Sequence, residues 1–270
     1  MKKHFVLFIA IWLVALSFKA NATNTSVTPA TLATAAKSAA SGDTLVLAAG
    51  TYTTAIAFPA ITLNLKADPA AAIQPVIAFQ PRDTTVTGGS LSFVGLSINP
   101  GTAYFFNTGG TNNMGAWRFQ KCTVTGISSS FINSSVGGTG VIGSIFIDNC
   151  TFSNIGSSNT PSLISLKHCL GSLTIQNSTI SNFAGGNIYD GLPATGGTTT
   201  NVLIQNNTIY KSIFKTGYGV CAIEGSGYAS TSTYIVINNI LDGTAGATSA
   251  NMLYIKNFGG TVTEVDNLYT

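Results

Sequence analysis

Charge is what this 270-residue chain has least of. Asp, Glu, Lys and Arg together make up 8% of it, and the two arginines, Arg82 and Arg118, stand alone. That scarcity excludes the basic stripe of a nucleic-acid-binding surface. It also excludes the highly charged, weakly hydrophobic composition of a disordered chain. Acidic residues nowhere gather in threes, so the sequence writes no calcium cage. The four cysteines, Cys122, Cys150, Cys169 and Cys221, follow no zinc-ligand spacing. They read as small buried hydrophobes or, in an exported chain, as disulfide partners. Nothing here calls for a metal or another cofactor.

Long apolar runs are missing too, except at the start. Lys2 and Lys3 precede an apolar run from Phe5 to Phe18, and Ala20-Asn21-Ala22 follows it. A basic start, a short apolar stretch and a small-residue cleavage site describe a secretory signal peptide over 1–22. The expectation is a single domain over 23–270, extracellular or periplasmic. No later run reaches the ~18 residues of a transmembrane helix. Cleavage removes Lys2, Lys3 and Lys19 and leaves a formally neutral chain. It also removes His4, so His168 is the one histidine that stays.

What is present is repetition. SIFIDNCTFSNIG (144–156), SLTIQNSTISNFA (172–184) and NVLIQNNTIYKSI (201–213) share one frame. Anchored on Cys150, Ser178 and Asn207, the frame reaches back to Cys122 and Leu96 and on to Asn239 and Asn267. The steps are 26, 28, 28, 29, 32 and 28 residues. Apolar residues recur five before the anchor (Leu91, Trp117, Ile145, Leu173, Val202, Tyr234, Val262), three before it (Phe93, Phe119, Ile147, Ile175, Ile204, Val236) and two after it (Ile98, Val124, Phe152, Ile180, Ile209, Leu241, Tyr269). Alternation at period two is a strand with one buried face. Glu264 breaks the second column, which predicts an exposed last rung. Just before the anchor stand Asn149, Asn177, Asn206, Asn238 and Asp266. Asn tolerates the left-handed backbone of a corner and can hydrogen-bond along a stack, so this column reads as an asparagine ladder.

Each period also holds a second apolar segment: 102–110, 130–138, 163–171, 187–193, 220–227 and 252–260. A lone strand cannot bury its inner face, but successive coils stacked strand on strand can. The periods are too short for the four-stranded blades of a propeller. The fold class is therefore all-β, a parallel solenoid. At its start, Thr28-Pro29 ahead of ATLATAAKSAA reads as an N-cap and first-turn proline, with Gly42 as the stop. This predicts a short capping helix before a strand at 44–48. No matching cap follows the last rung, at VDNLYT, which leaves open a truncated chain, a covering subunit or a further domain.

The stretch AAKSAASGDTLVLAAGTYT resembles the opening of right-handed parallel β-helix proteins of the pectin-lyase-like superfamily. The likeness is to the chondroitinase-B and alginate-lyase type, and the NCTF, NSTI and NNTI corners resemble the superfamily's repeats. This covers roughly residues 28–270 and implies a right-handed coil and an extracellular polysaccharide as partner. It does not imply one activity, because the superfamily includes lyases, hydrolases, esterases and non-catalytic proteins. The Asn-Thr-Asp, Asp-Asp and Gly-His-Gly patterns of polygalacturonases and the Arg-rich strand of pectate lyases are absent.

One column carries charge. The polar residues closing each second strand are Asn107, Asn133, Lys167, Asp190, Glu224 and Lys256. Stacked at about 4.8 Å per rung, Asp190 and Glu224 would be neighbours able to act as general acid and base or nucleophile. Lys167 would alternatively abstract the proton for β-elimination next to a uronate. Asn133 and Lys256, with loop residues Lys215, Tyr218 and Tyr228, complete a candidate glycan-binding surface. The competing reading is a solvated face whose opposite charges pair across strands. His168, following Lys167, faces the other way in a strand. The two functional expectations are a protein that binds polysaccharide, with cleavage as a lyase or glycoside hydrolase the finer expectation, and a non-catalytic structural or adhesive solenoid. An ice-binding face would need Thr-x-Thr columns, and TVT at 123–125 and 261–263 is too little.

Overall fold

The computed structural model describes residues 22–57, 60–81, 89–108, 113–134, 140–156, 162–166, 169–191, 199–214, 219–224, 229–242, 251–256 and 260–269. Three parallel sheets of ten, nine and six strands wind around a single apolar core, with a two-stranded pair beside them. Apart from the first two strands, which pair with each other, each strand pairs not with its neighbour in sequence but with its counterpart one coil away. This is the parallel β-helix that the repeat predicts.

The repeat's main strand forms the ten-stranded sheet. Leu91, Trp117, Ile145, Leu173, Val202, Tyr234 and Val262 lie in one register column, and Phe93, Phe119, Ile147, Ile175, Ile204, Val236 and Glu264 in another. The first column is buried down to Tyr234, with Val262 partly buried, and the second is buried down to Val236. Glu264 is exposed, as are most residues of its strand, Thr261–Val265. Such burial fixes the register, because a one-residue slip would turn every apolar side chain outward. Rings stack across coils: Phe93 on Phe119 with centroids 5.2 Å apart, Phe105 on Phe131 at 5.5 Å and Phe106 on Trp117 at 4.7 Å.

The corner into the nine-stranded sheet is two residues long in seven consecutive rungs: Gly95-Leu96, Lys121-Cys122, Asn149-Cys150, Asn177-Ser178, Asn206-Asn207, Asn238-Asn239 and Asp266-Asn267. The first residue of each pair has positive φ, between 51° and 69°. Asn and Asp tolerate this conformation and Gly adopts it freely, which accounts for most of the column. The second residue points inward. Here the expectation is refined, because two ladders exist. In the outer one, Asn206 Nδ2 donates to Asn177 Oδ1 at 3.4 Å and Asn177 Nδ2 to Asp148 Oδ1 at 2.9 Å. The inner one is buried. Asn207 Nδ2 donates to Asn239 Oδ1, and Asn239 Nδ2 to Asn267 Oδ1, both at 3.0 Å. Backbone N–H groups join it: Cys150 to Ser178 Oγ, Ser178 to Asn207 Oδ1 and Asn207 to Asn239 Oδ1, each at 3.0 Å.

The helix α1 spans Leu32–Ser38 and starts later than predicted. Thr28 and Pro29 lie in a preceding turn, where the Thr28 carbonyl accepts from Thr31 and Leu32 N–H and the Thr28 N–H donates to Thr31 Oγ1. Leu32 is buried, and Ala35, Ala36 and Ala39 pack against the core, so α1 does cover the start of the stack. Before it comes a strand that the sequence reading lacks, Asn24–Val27, paired with Thr44–Leu47. The helix is thus an excursion between two paired strands. The Asp43 carboxylate clasps this entry, accepting from Thr23 N–H at 2.7 Å, Thr23 Oγ1 at 3.0 Å and Ala40 N–H at 2.7 Å.

Candidate functional site

The six-stranded sheet comprises Thr102–Thr108, Ile127–Ser134, Ile164–Leu166, Tyr189–Gly191, Gly219–Glu224 and Asn251–Lys256. Its inward residues include Phe106, Ile132, Ile164 and Tyr189, all buried. Between them the outward positions Asn107, Asn133, Ser165 and Asp190 are exposed or half-buried. Those four are direct register partners, and Ala222 and Tyr254 continue the column. Asn133 Nδ2 donates to Asn107 Oδ1 at 2.9 Å, so the column begins as an amide ladder on an open face.

This corrects the stacking expected from the sequence. Ser165, not Lys167, lies between Asn133 and Asp190, and Asp190 is opposite Ala222, not Glu224. The core explains the difference. Register follows the buried residues Ile132, Ile164 and Tyr189, whereas the last polar residue of a strand does not set it. The displacement is two residues, so Glu224 stands two positions beyond the register partner of Asp190. Glu224 lies opposite Lys256. Lys167, His168, Lys215, Tyr218 and Tyr228 fall outside the described residues. Ser165 and Tyr254 are the positions that sequence reasoning missed. Aligning the apolar residues before them would have found both.

A second connected set of polar groups lies on the outer face of the ten-stranded sheet. Gln120, Asp148, Gln176 and Gln205 form one register column. Gln205 Nε2 donates to Gln176 Oε1, and Gln176 Nε2 to Asp148 Oδ1, both at 3.0 Å. Partial burial alone would raise the Asp148 pKa, but amide donors from Asn177, Gln176 and Gln120 and the Lys121 charge hold it below the ordinary carboxylate value. In the adjacent outward column the Arg118 guanidinium sits 5.5 Å from the centre of the Phe146 ring. These groups satisfy one another and hold the sheet's outer surface in place.

Two hollows flank the stack. One, of about 280 Å³, lies under α1 and is lined mainly by alanines, Ile56 and Ile61, with Lys37 beside them. It lacks convergent polar side chains. The other, of about 300 Å³, is open and bounded by Gly101, Thr102, Gly126, Ile127, Ser128, Asn154 and Gly156. It adjoins the first residues of two strands of the six-stranded sheet, at the edge of the candidate face. Among the described residues, no three potential metal ligands cluster, and no helix is long and apolar enough to cross a membrane.

No protein-family model and no curated protein sequence matches the chain. Its fold matches solved structures. The structure of AlyGC, an alginate lyase of the PL6 family, aligns with a TM-score of 0.58 at 18% identity, over 93% of this chain and 40% of that one. An arginine-to-alanine variant of the same enzyme aligns with the same figures. The chain thus spans two fifths of the length of these enzymes. At this identity the likeness establishes the parallel β-helix fold.

Proposed function

We propose that this protein is exported and binds a linear polysaccharide along the outer face of the six-stranded sheet. The observation that carries the reading is the outward column Asn107, Asn133, Ser165 and Asp190, which offers one polar side chain per rung along an open face. A polymer lying along the solenoid axis would meet a hydrogen-bonding group about every 4.8 Å. Lys167, Lys215 and Lys256 supply cations for uronate carboxylates on this reading, and Tyr218 and Tyr228 supply aromatic faces for sugar rings. Alginate, the substrate in the name of the matched enzymes, heads the candidates.

Cleavage is the finer proposal. Asp190 and Glu224 are the candidate pair for hydrolysis, as general acid and base or nucleophile. Lys167 is the candidate base for β-elimination. A second reading, the non-catalytic structural or adhesive solenoid, is favoured by Glu224 standing opposite Lys256, an arrangement that cross-strand charge pairing explains without chemistry.

The deciding experiment incubates the protein with alginate, pectin, glycosaminoglycans and neutral glycans, following reducing ends and unsaturated-uronate absorbance. Affinity electrophoresis runs in parallel with wild type and an Asn133→Ala/Asp190→Asn variant. Unsaturated products lost in Lys167→Ala establish a lyase. Reducing ends without unsaturation, lost in Asp190→Asn/Glu224→Gln, establish a hydrolase. Retardation without products, abolished in the Asn133/Asp190 variant, establishes binding alone. No retardation and no product on any glycan overturns the proposal in favour of the structural solenoid.

A further inference from the structure

We infer that Cys122 and Cys150 form a disulfide-bonding pair that staples two adjacent rungs of the solenoid. Both occupy the inward position of the two-residue corner, one coil apart, and both are 2% exposed. Thr123 pairs with Thr151, and the Thr151 N–H donates to the Cys122 carbonyl at 2.8 Å, which fixes the register at this point. The Cα atoms of register partners stand about 4.8 Å apart across adjacent strands, inside the roughly 4.4–6.8 Å range that disulfides span. The two thiols are near enough to shift each other's ionisation in opposite directions.

The surrounding column gives the pair a role. Toward the C-terminus the same inward position holds Ser178, Asn207, Asn239 and Asn267, stitched rung to rung by side-chain hydrogen bonds. That stitching ends at Cys150, whose N–H donates to Ser178 Oγ. Reduced thiols offer only weak substitutes: Cys122 Sγ lies 3.4 Å from the Phe93 and Gln120 carbonyls, and Cys150 Sγ 3.4 Å from those of Phe119 and Asp148. A sulfur–sulfur bond continues the ladder covalently by one rung. Among the described residues, neither of the other two cysteines has a cysteine as register partner: Cys169 pairs with Val141, and Cys221 with Tyr189 and Leu253.

The chemistry needs an oxidant of the disulfide class, such as glutathione disulfide or an exchange catalyst of an export compartment. One cysteine thiolate attacks the oxidant's S–S bond, forming a mixed disulfide and releasing one thiol. The second cysteine thiolate displaces the other thiol and closes the Cys122–Cys150 bond. Two protons and two electrons pass to the oxidant. The neighbouring sulfur and burial push the folded Cys150 thiol up, while the hydrogen bond with Cys150 draws the Cys122 thiol down, so Cys122 is the more easily ionised of the two. Both residues are buried in the finished corner, so exchange belongs to assembly of the two rungs, and the finished bond is shielded from reductants.

The test refolds the full chain from urea in a glutathione redox buffer, alkylates the remaining thiols and maps peptides by mass spectrometry without reduction. The expected result is a linked pair containing Cys122 and Cys150, two hydrogens lighter than the sum of the free peptides and absent after reduction in denaturant. The wild-type urea midpoint should then fall when the protein is reduced, while that of Cys122→Ser/Cys150→Ser is indifferent to reductant. Complete alkylation of both residues after oxidative refolding, or linkage of either to Cys169 or Cys221, overturns the inference. The peptide map uses the wild-type chain, so a variant that folds poorly leaves the result intact, and neither outcome depends on glycan binding.

Discussion

Replacing Asn239 by Ala tests the inner ladder where its bonding is densest. Asn239 is fully buried. Its Oδ1 accepts from the Asn207 N–H and Asn207 Nδ2, both at 3.0 Å, while its Nδ2 donates to the Ile204 carbonyl at 2.9 Å and to Asn267 Oδ1 at 3.0 Å. Truncation strands the Asn207 N–H and one Asn207 amide hydrogen within the stack, and takes a donor from the Ile204 carbonyl. Each buried group left without a partner costs about 1–3 kcal/mol. Partial relaxation brings the expected loss to roughly 3–5 kcal/mol, the range that marks a broken buried network. The comparator is Asn206→Ala, one residue earlier. Asn206 is exposed, with φ of 55° and one long side-chain bond of 3.4 Å. Its loss should be only about 1–2 kcal/mol, mostly the left-handed backbone penalty, and Asn206→Gly should recover most of it. Urea unfolding followed by circular dichroism, with m-values checked for constancy, measures all three. Hydrogen exchange at the Asn207 amide adds a local reading. Equal losses for Asn239→Ala and Asn206→Ala, or an Asn207 amide as protected as in wild type, would refute the claim that the buried amides hold the coils together.

Asp148 predicts an acid limb. Its folded pKa lies below the unfolded value of about 3.9, so its stabilisation is complete above that pH and is lost as the pH falls through the folded pKa. Asp148→Asn should lower Tm at neutral pH and flatten its fall below about pH 4; parallel acid limbs for both proteins would dismiss the carboxylate as a contributor. Gly171 sits where an added Cβ would run into the Gly143 carbonyl oxygen. Gly171→Ala should therefore cost about 1–3 kcal/mol through overpacking, and an unchanged Tm would show that the coils do not approach so closely there.

The sequence showed the fold more clearly than the candidate face, for a physical reason. Strands of the ten-stranded sheet announce themselves because Trp117, Ile145, Leu173 and their equivalents are buried in every coil, and burial permits one register. The two-residue corner was equally legible, since Asn177, Asn206 and Asn238 stand where the backbone turns left-handed. The inner ladder was harder to see. Cys150, Ser178 and Asn207 share a position and a geometry but not a residue type, and the eye follows residue type. Asn24–Val27 was invisible because only Val27 is buried, so no alternation marks the strand. On the six-stranded sheet, the last polar residue of each strand was a poor guide. Lys167, Asp190 and Glu224 share a place at the ends of the apolar segments, but the core aligns Ile164 with Tyr189 instead.

The corner at Gly95-Leu96 through Asp266-Asn267 never changes length, although the period varies from 26 to 32 residues. Every gain or loss of chain must therefore be absorbed elsewhere. Much of it falls between the six-stranded sheet and the next strand of the ten-stranded sheet, where Leu166 and Cys169 are separated by two residues but Gly191 and Asn201 by nine. That turn borders the candidate glycan face. The molecule has one fixed ruler and one adjustable margin, and the margin follows the strands of the candidate face. Segments of new length and composition can be grafted there coil by coil while the ladder keeps the rungs in step.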